Sequence, residues 1–173
     1  AKNFGHDLPA MAAAANADDA VRVVFVTNPN NPTGTWLTRD AIVELLDTVH
    51  SDKIIVLDEA YFEYVSEDEY PDGMSLLDDY PNLVVTRTFS KAYGLAGFRI
   101  GYGICRPDIA DLINRLRLPF NGNTGALAAA EAALADDAHM QAAVAVNAEA
   151  LQTLEKGCDE LGLEYVPSVG NFL

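Results

Sequence analysis

A chain of 173 residues, half of them hydrophobic, has the length of one domain, or of one domain with a piece of another, and can bury a sizeable core. Its 26 Asp and Glu against 11 Lys and Arg give a net charge of −15, which lacks the basic footprint that nucleic acid demands, and no apolar run approaches the ~20 residues of a membrane span. Cys105 and Cys158 have neither metal-ligand spacing nor a neighbouring His, and AKNFGHDLPA at the start lacks the basic and apolar regions of a signal peptide, so a soluble, cytoplasmic protein with free thiols and no metal is expected.

Along the chain, VRVVFVT at 21–27 is a near-continuous apolar, β-branched run, the pattern of a strand buried on both faces. The turn-rich NPNNPTGTW of 28–36 follows. Thr38 is placed to cap a helix whose stripe of Ile42, Leu45, Leu46 and Val49 continues through His50. KIIVLDEA at 53–60 reads as a second buried strand, ending in two carboxylates. The acidic EYVSEDEYPDG then leads to a third strand, NLVVTRT at 82–88, and FRIGYGI at 98–104 reads as a fourth. Pro107 opens a helix to about Arg117, with Ile109, Leu112, Ile113 and Leu116 as its apolar positions. ALAAAEAALA forms another helix, residues 137–161 form one long helix stopped near Gly162, and EYVPSVGNFL reads as strand and turn. The chain stops in the middle of an apolar pattern, so a C-terminal continuation is expected.

Strands and helices alternating in this way indicate an α/β sheet, in which ligands collect at the carboxyl ends of the strands. Three polar clusters fall there: NPNNPTG after the first strand, DEAY after the second and TFSK after the third.

Charge separates the third cluster from an ordinary surface patch. From Tyr80 through Pro107 there is no Asp or Glu, where the chain's average would place about four, yet the window holds Arg87, Lys91, Arg99 and Arg106. Hydroxyls at Thr88 and Ser90, small residues at Gly94 and Gly97, and the planar fork of Arg99 suit a phosphate monoester. Lys91, a cation among cations at the end of a buried strand, should have its ammonium form disfavoured, and a neutral amine forms a Schiff base with a carbonyl. Asp58, at the end of an apolar run, needs a cationic partner, which a protonated pyridine nitrogen supplies. Magnesium binding of the Walker-B kind fails for want of a G-x-x-x-x-G-K-[ST] loop, and a solvated carboxylate pair is the plainer alternative. Tyr61 places a hydroxyl, and Asn31 an amide, toward the same ligand. Phosphate, pyridine nitrogen and aldehyde occur together in pyridoxal 5′-phosphate.

With NPNNPTGTW, VLDEAYFEY, TRTFSKAYGLAGFRIGYG and the LPFN segment in this order, the sequence resembles the fold-type-I pyridoxal-phosphate-dependent aminotransferases, and within them the histidinol-phosphate branch. The resemblance implies an α/β large domain built on a mostly parallel sheet flanked by helices. It divides the chain into the second half of that domain (1–136), a connecting helix (137–161) and the start of a smaller α/β domain (162–173). It assigns Lys91 as covalent anchor of the cofactor and proton carrier, Asp58 as partner of the pyridine nitrogen, Tyr61 and Asn31 as donors to the ring's phenolic oxygen, and Thr88, Ser90 and Arg99 as phosphate ligands. Asn121 or Asn123 would approach the substrate, although Gly122 and Ala126 depart from the family's usual residues in that loop. The implied reaction exchanges the amino group of histidinol phosphate with 2-oxoglutarate, giving imidazole-acetol phosphate and glutamate in histidine biosynthesis, in a homodimer when the chain is complete. An aromatic aminotransferase, a threonine-phosphate decarboxylase and the aminotransferase-like domain of a transcription regulator share the same cofactor residues. The family's N-terminal half supplies a glycine-rich helix start and a ring-stacking aromatic, and its C-terminus a substrate arginine. These residues show none of the three, so the piece alone is expected to transaminate poorly. The acidic excess also points to a salt-adapted source.

Overall fold

The three β-branched runs become adjacent parallel strands, β1 (Val23–Thr27), β2 (Ile54–Asp58) and β3 (Leu83–Thr88), and β4 (Gly101–Cys105) adds antiparallel to β3, in the order β1-β2-β3-β4. The computed structural model describes residues 3–173. Register aligns Val24 and Ile55 with Leu83 on one rung, and Val26, Leu57 and Val85 on another. All six are buried and pack with Leu8 and Ala12 of α1 (Leu8–Ala17) and with Ile42, Leu45 and Leu46 of α2 (Arg39–Thr48). Each of these Val, Leu and Ile side chains contributes about 1.5–3 kcal/mol relative to its exposed state.

The burial expected on both faces of the first strand holds on one only. Val23 is 43% and Phe25 66% exposed, because α1 and α2 lie on the Val24–Val26 side and nothing among the described residues covers the other. The apolar stripe of α3 (Pro107–Leu116) is likewise open, with Leu116 85% exposed.

Local signals place most helix ends. Thr38 accepts from Ala41 N at 3.3 Å and caps α2. Beyond α4 (Thr124–Leu134), α5 (Asp137–Leu161) ends on Gly162, whose φ of 65° is the left-handed stop that glycine adopts freely. The helix α1, capped by Asp7, was not among the expected elements. β4 starts three residues later than expected, since Ala96–Phe98 forms a 3-10 turn and Arg99 turns left-handed. The strand expected in EYVPSVGNFL is absent. Its backbone bonds go elsewhere: Val169 N donates to Gly34 O at 3.1 Å, and Gly170 O accepts from Asn147 Nδ2 at 3.0 Å. That segment folds back over the loop following β1.

Candidate active site

Alternation of side chains along the strands gives the carboxyl end of the sheet two different faces. On the side away from α1 and α2, Thr27, Asp58 and Thr86 are neighbours across β1, β2 and β3. On the core side the next positions are Asn28, Glu59 and Arg87, two of them fully buried polar residues.

The first face opens into a cavity of about 430 Å³ lined by Asp58, Thr86, Thr88, Ser90, Lys91 and Arg99, among others. The turn after β3 builds its wall: Ser90 N donates to Thr88 Oγ1 at 3.1 Å, and Thr88 Oγ1 also lies 3.5 Å from Ile100 O across the β3–β4 junction. Arg99 reaches the same wall from the other side, its Nη1 donating to Ser90 Oγ at 3.4 Å and to Ala96 O at 3.0 Å. Asp58 Oδ1 accepts from Ala60 N at 3.2 Å. Among the described residues, none of Asp58, Lys91 and Arg99 belongs to an ion pair. A carboxylate and two cations therefore share one cavity, each without a charged partner from the protein.

Beside the cavity, Lys91 Nζ lies 5.1 Å from the ring centre of Tyr61, and Asn31 Nδ2 donates to the Tyr61 hydroxyl at 2.7 Å. The structure thus brings all seven expected site residues into one region, five on the cavity wall and Asn31 and Tyr61 next to it. Phe172 meets Tyr61 edge-on at 5.3 Å, a contact across 111 residues that sequence patterning does not reveal. Asn121 and Asn123 serve locally instead: Asn121 accepts from Arg117 Nη1 at 3.0 Å, and Asn123 caps α4 through Ala126 N at 2.8 Å. Neither lines the cavity.

The acid-free window requires a correction. Arg87 is neutralised by carboxylates distant in sequence, Glu59 at 2.7 Å and Asp72 at 2.7 Å, and Arg106 lies 3.4 Å from Asp108. Burial raises the Glu59 pKa, against the opposing pull of Arg87 and the Gly73 N–H. Burial alone would lower the pKa of Arg87, but the hydrogen bonds and charge of Glu59 outweigh it and raise it. Of the four bases, only Lys91 and Arg99 are available to an anion.

A groove of similar size, about 410 Å³, runs between α1 and α2 along Leu8, Ala12, Leu37 and Leu45. It holds no converging cations, unlike the cavity at the strand ends.

The chain matches known proteins along its whole length. The family model "Aminotransferase class I and II" covers residues 1–173. Histidinol-phosphate aminotransferase 1 of Nitrosococcus oceani is 53% identical over 173 residues, all of this chain and 46% of that protein. The crystal structure of histidinol-phosphate aminotransferase from Sinorhizobium meliloti in complex with pyridoxal-5′-phosphate superposes with a TM-score of 0.90 at 35% identity, over 98% of this chain and 46% of that one. The L-threonine-O-3-phosphate decarboxylase of Porphyromonas gingivalis superposes with a TM-score of 0.74 at 30% identity, over 86% of this chain and 45% of that one. The chain spans about half the length of the curated relatives it matches.

Proposed function

The chain belongs to the class I and II aminotransferase family, and we propose that it carries the cofactor-anchoring half of a pyridoxal-phosphate-dependent aminotransferase acting on histidinol phosphate and 2-oxoglutarate in histidine biosynthesis. The observation that carries this reading is the single cavity on which Lys91, Arg99 and Asp58 converge, none of them in an ion pair among the described residues. The donor set fits the cofactor: an amine for its aldehyde, a guanidinium and two hydroxyls for its phosphate, and a carboxylate for its ring nitrogen.

When bound, pyridoxal phosphate supplies an electron sink for charge developing at the substrate's α-carbon. The protein's own groups do the rest. Arg99 offers a planar fork and Thr88 and Ser90 offer hydroxyls to a phosphate, fixing the orientation of anything attached to it. Asp58 would pair with a protonated ring nitrogen, an interaction strengthened away from bulk water. Tyr61 and Asn31, already joined by the hydrogen bond from Asn31 Nδ2 to the Tyr61 hydroxyl, would bind the cofactor's phenolic oxygen. Lys91 Nζ would hold the cofactor through its aldehyde and, when free, would carry the proton between the substrate's Cα and the aldehyde carbon, C4′.

We read residues 1–136 as part of the large domain, 137–161 as the connecting helix and 162–173 as the start of the smaller domain, with a homodimer in the cytoplasm as the complete assembly. The 53% identity to a histidinol-phosphate aminotransferase supports the substrate. The likeness to a threonine-phosphate decarboxylase keeps that chemistry as the second reading. Steady-state rates of the protein expressed from its complete reading frame separate the two. The highest kcat/KM is expected with histidinol phosphate, with glutamate formed from 2-oxoglutarate. Higher efficiency with phenylalanine, or carbon dioxide released from threonine phosphate, would contradict the substrate assignment.

A further inference from the structure

The roles above leave unused a buried ion pair beside the site. Glu59 and Arg87 lie 28 residues apart, on the core face, one position after Asp58 and one before Thr88. Arg87 donates from Nε at 2.9 Å and from Nη2 at 2.7 Å to Glu59 Oε2, while Nη2 also reaches Asp72 Oδ1 at 2.7 Å. Glu59 Oε1 accepts from Gly73 N at 2.8 Å. The Glu59 side chain is 0% and that of Arg87 9% exposed, and the guanidinium carbon stacks 3.6 Å from the Phe62 ring centre. The loop is pressed onto the pair: a Cβ at Gly73 would lie 2.7 Å from Glu59 Oε1 and 2.8 Å from a Leu57 methyl carbon.

A buried ion pair is a weak source of net stability, since desolvation offsets most of its attraction. Its clearest effect is geometric. Two bonds to one carboxylate oxygen, with the other oxygen held by Gly73, leave Glu59 and Arg87 one relative placement. Because successive strand residues face opposite ways, holding Glu59 against Arg87 on the core face holds Asp58 against Thr88 on the cavity face. We propose that Glu59 and Arg87 are positioning residues for the cofactor site: their ion pair sets the span between Asp58, at the ring-nitrogen end, and the Thr88–Lys91 turn, at the phosphate and aldehyde end. The inference rests on reading that cavity as a pyridoxal-phosphate site.

Arg87→Lys keeps the charge and removes the fork. In the protein from the complete reading frame, R87K is expected to bind pyridoxal phosphate at least fivefold more weakly, with a shifted absorbance maximum for the bound cofactor. In the cofactor-free protein, amide exchange at Glu59 and Gly73 is expected to rise at least tenfold. If R87K does not fold, the double variant E59Q/R87M, which leaves no buried charge unpaired, takes its place under the same criteria. A folded variant with a dissociation constant within twofold of wild type and an unshifted spectrum overturns the positioning role and leaves the cofactor reading standing. Absence of pyridoxal-phosphate binding by the wild-type protein overturns the cofactor reading itself, and the positioning role with it.

Discussion

Arg99 has a backbone φ of 52°, in the left-handed region that β-carbon-bearing residues enter at a cost of roughly 1–2 kcal/mol. The conformation ends the Ala96–Phe98 turn and sends the guanidinium back to Ser90. A non-glycine residue held there, in the wall of a cavity, fits a side chain retained for its chemistry. Arg99→Gly separates the two effects. Thermal unfolding is expected to be unchanged or higher by up to about 1 kcal/mol, because glycine relieves the strain, while the dissociation constant for pyridoxal phosphate rises at least tenfold. Loss of both together would mean that Arg99 is structural. The grouping of the seven was legible because each sits in or beside a short polar cluster next to a strand end. Arg87 was misread for the opposite reason: its partners, Glu59 and Asp72, come close only through strand register and a folded loop. The remaining signal was the carboxylate pair itself, since consecutive strand residues cannot both face one ligand.

At the scale of elements, the loop after β1 is held by its own side chains. Buried Asn28 donates to Leu37 O at 3.2 Å and accepts from Leu37 N at 2.8 Å, and Asn30 bridges the Thr27 and Thr33 hydroxyls at 2.7 Å each. Burial pushes the phenol of Tyr70, which donates to Asn28 O, well above its ordinary pKa, so it stays a donor. Gly34 has φ +71°, and a Cβ there would meet Ser168 Oγ at 2.1 Å. Gly34→Ala is therefore expected to cost about 2 kcal/mol or more, from left-handed strain and overpacking together, and to detach the segment carrying Phe172 from Tyr61. Urea unfolding and limited proteolysis after residue 161 measure the two parts. Equal stability and equal resistance would show that the close approach is not maintained in solution. Strands and most helices were readable from apolar runs and caps, whereas α1 was not, because LPAMAAAANA is so alanine-rich that no polar face contrasts with its buried one. The tail misled because its apolar residues suit a strand, yet its bonds go to Gly34 and Asn147.

Taken as a whole, the molecule carries a net charge of −15, and among the described residues its ion pairs apart from those of Arg87 with Glu59 and Asp72 involve exposed side chains worth at most about 1 kcal/mol each. Like-charge repulsion over such a surface is screened within ~8–10 Å at 0.1–0.15 M salt and more tightly at higher salt. Melting temperature is expected to climb by several degrees from low to molar KCl, and a flat profile would remove the case for salt adaptation. The central claim concerns one atom, Lys91 Nζ. Lys53, by contrast, is 1% exposed and donates to the Asp18 and Val21 carbonyls at 3.3 and 3.0 Å. Borohydride reduction of the protein from the complete reading frame, saturated with pyridoxal phosphate and followed by peptide mass spectrometry, tests that claim most directly. A single pyridoxyl group on Lys91 is the expected result, and a label on any other lysine, or none at all, would contradict it.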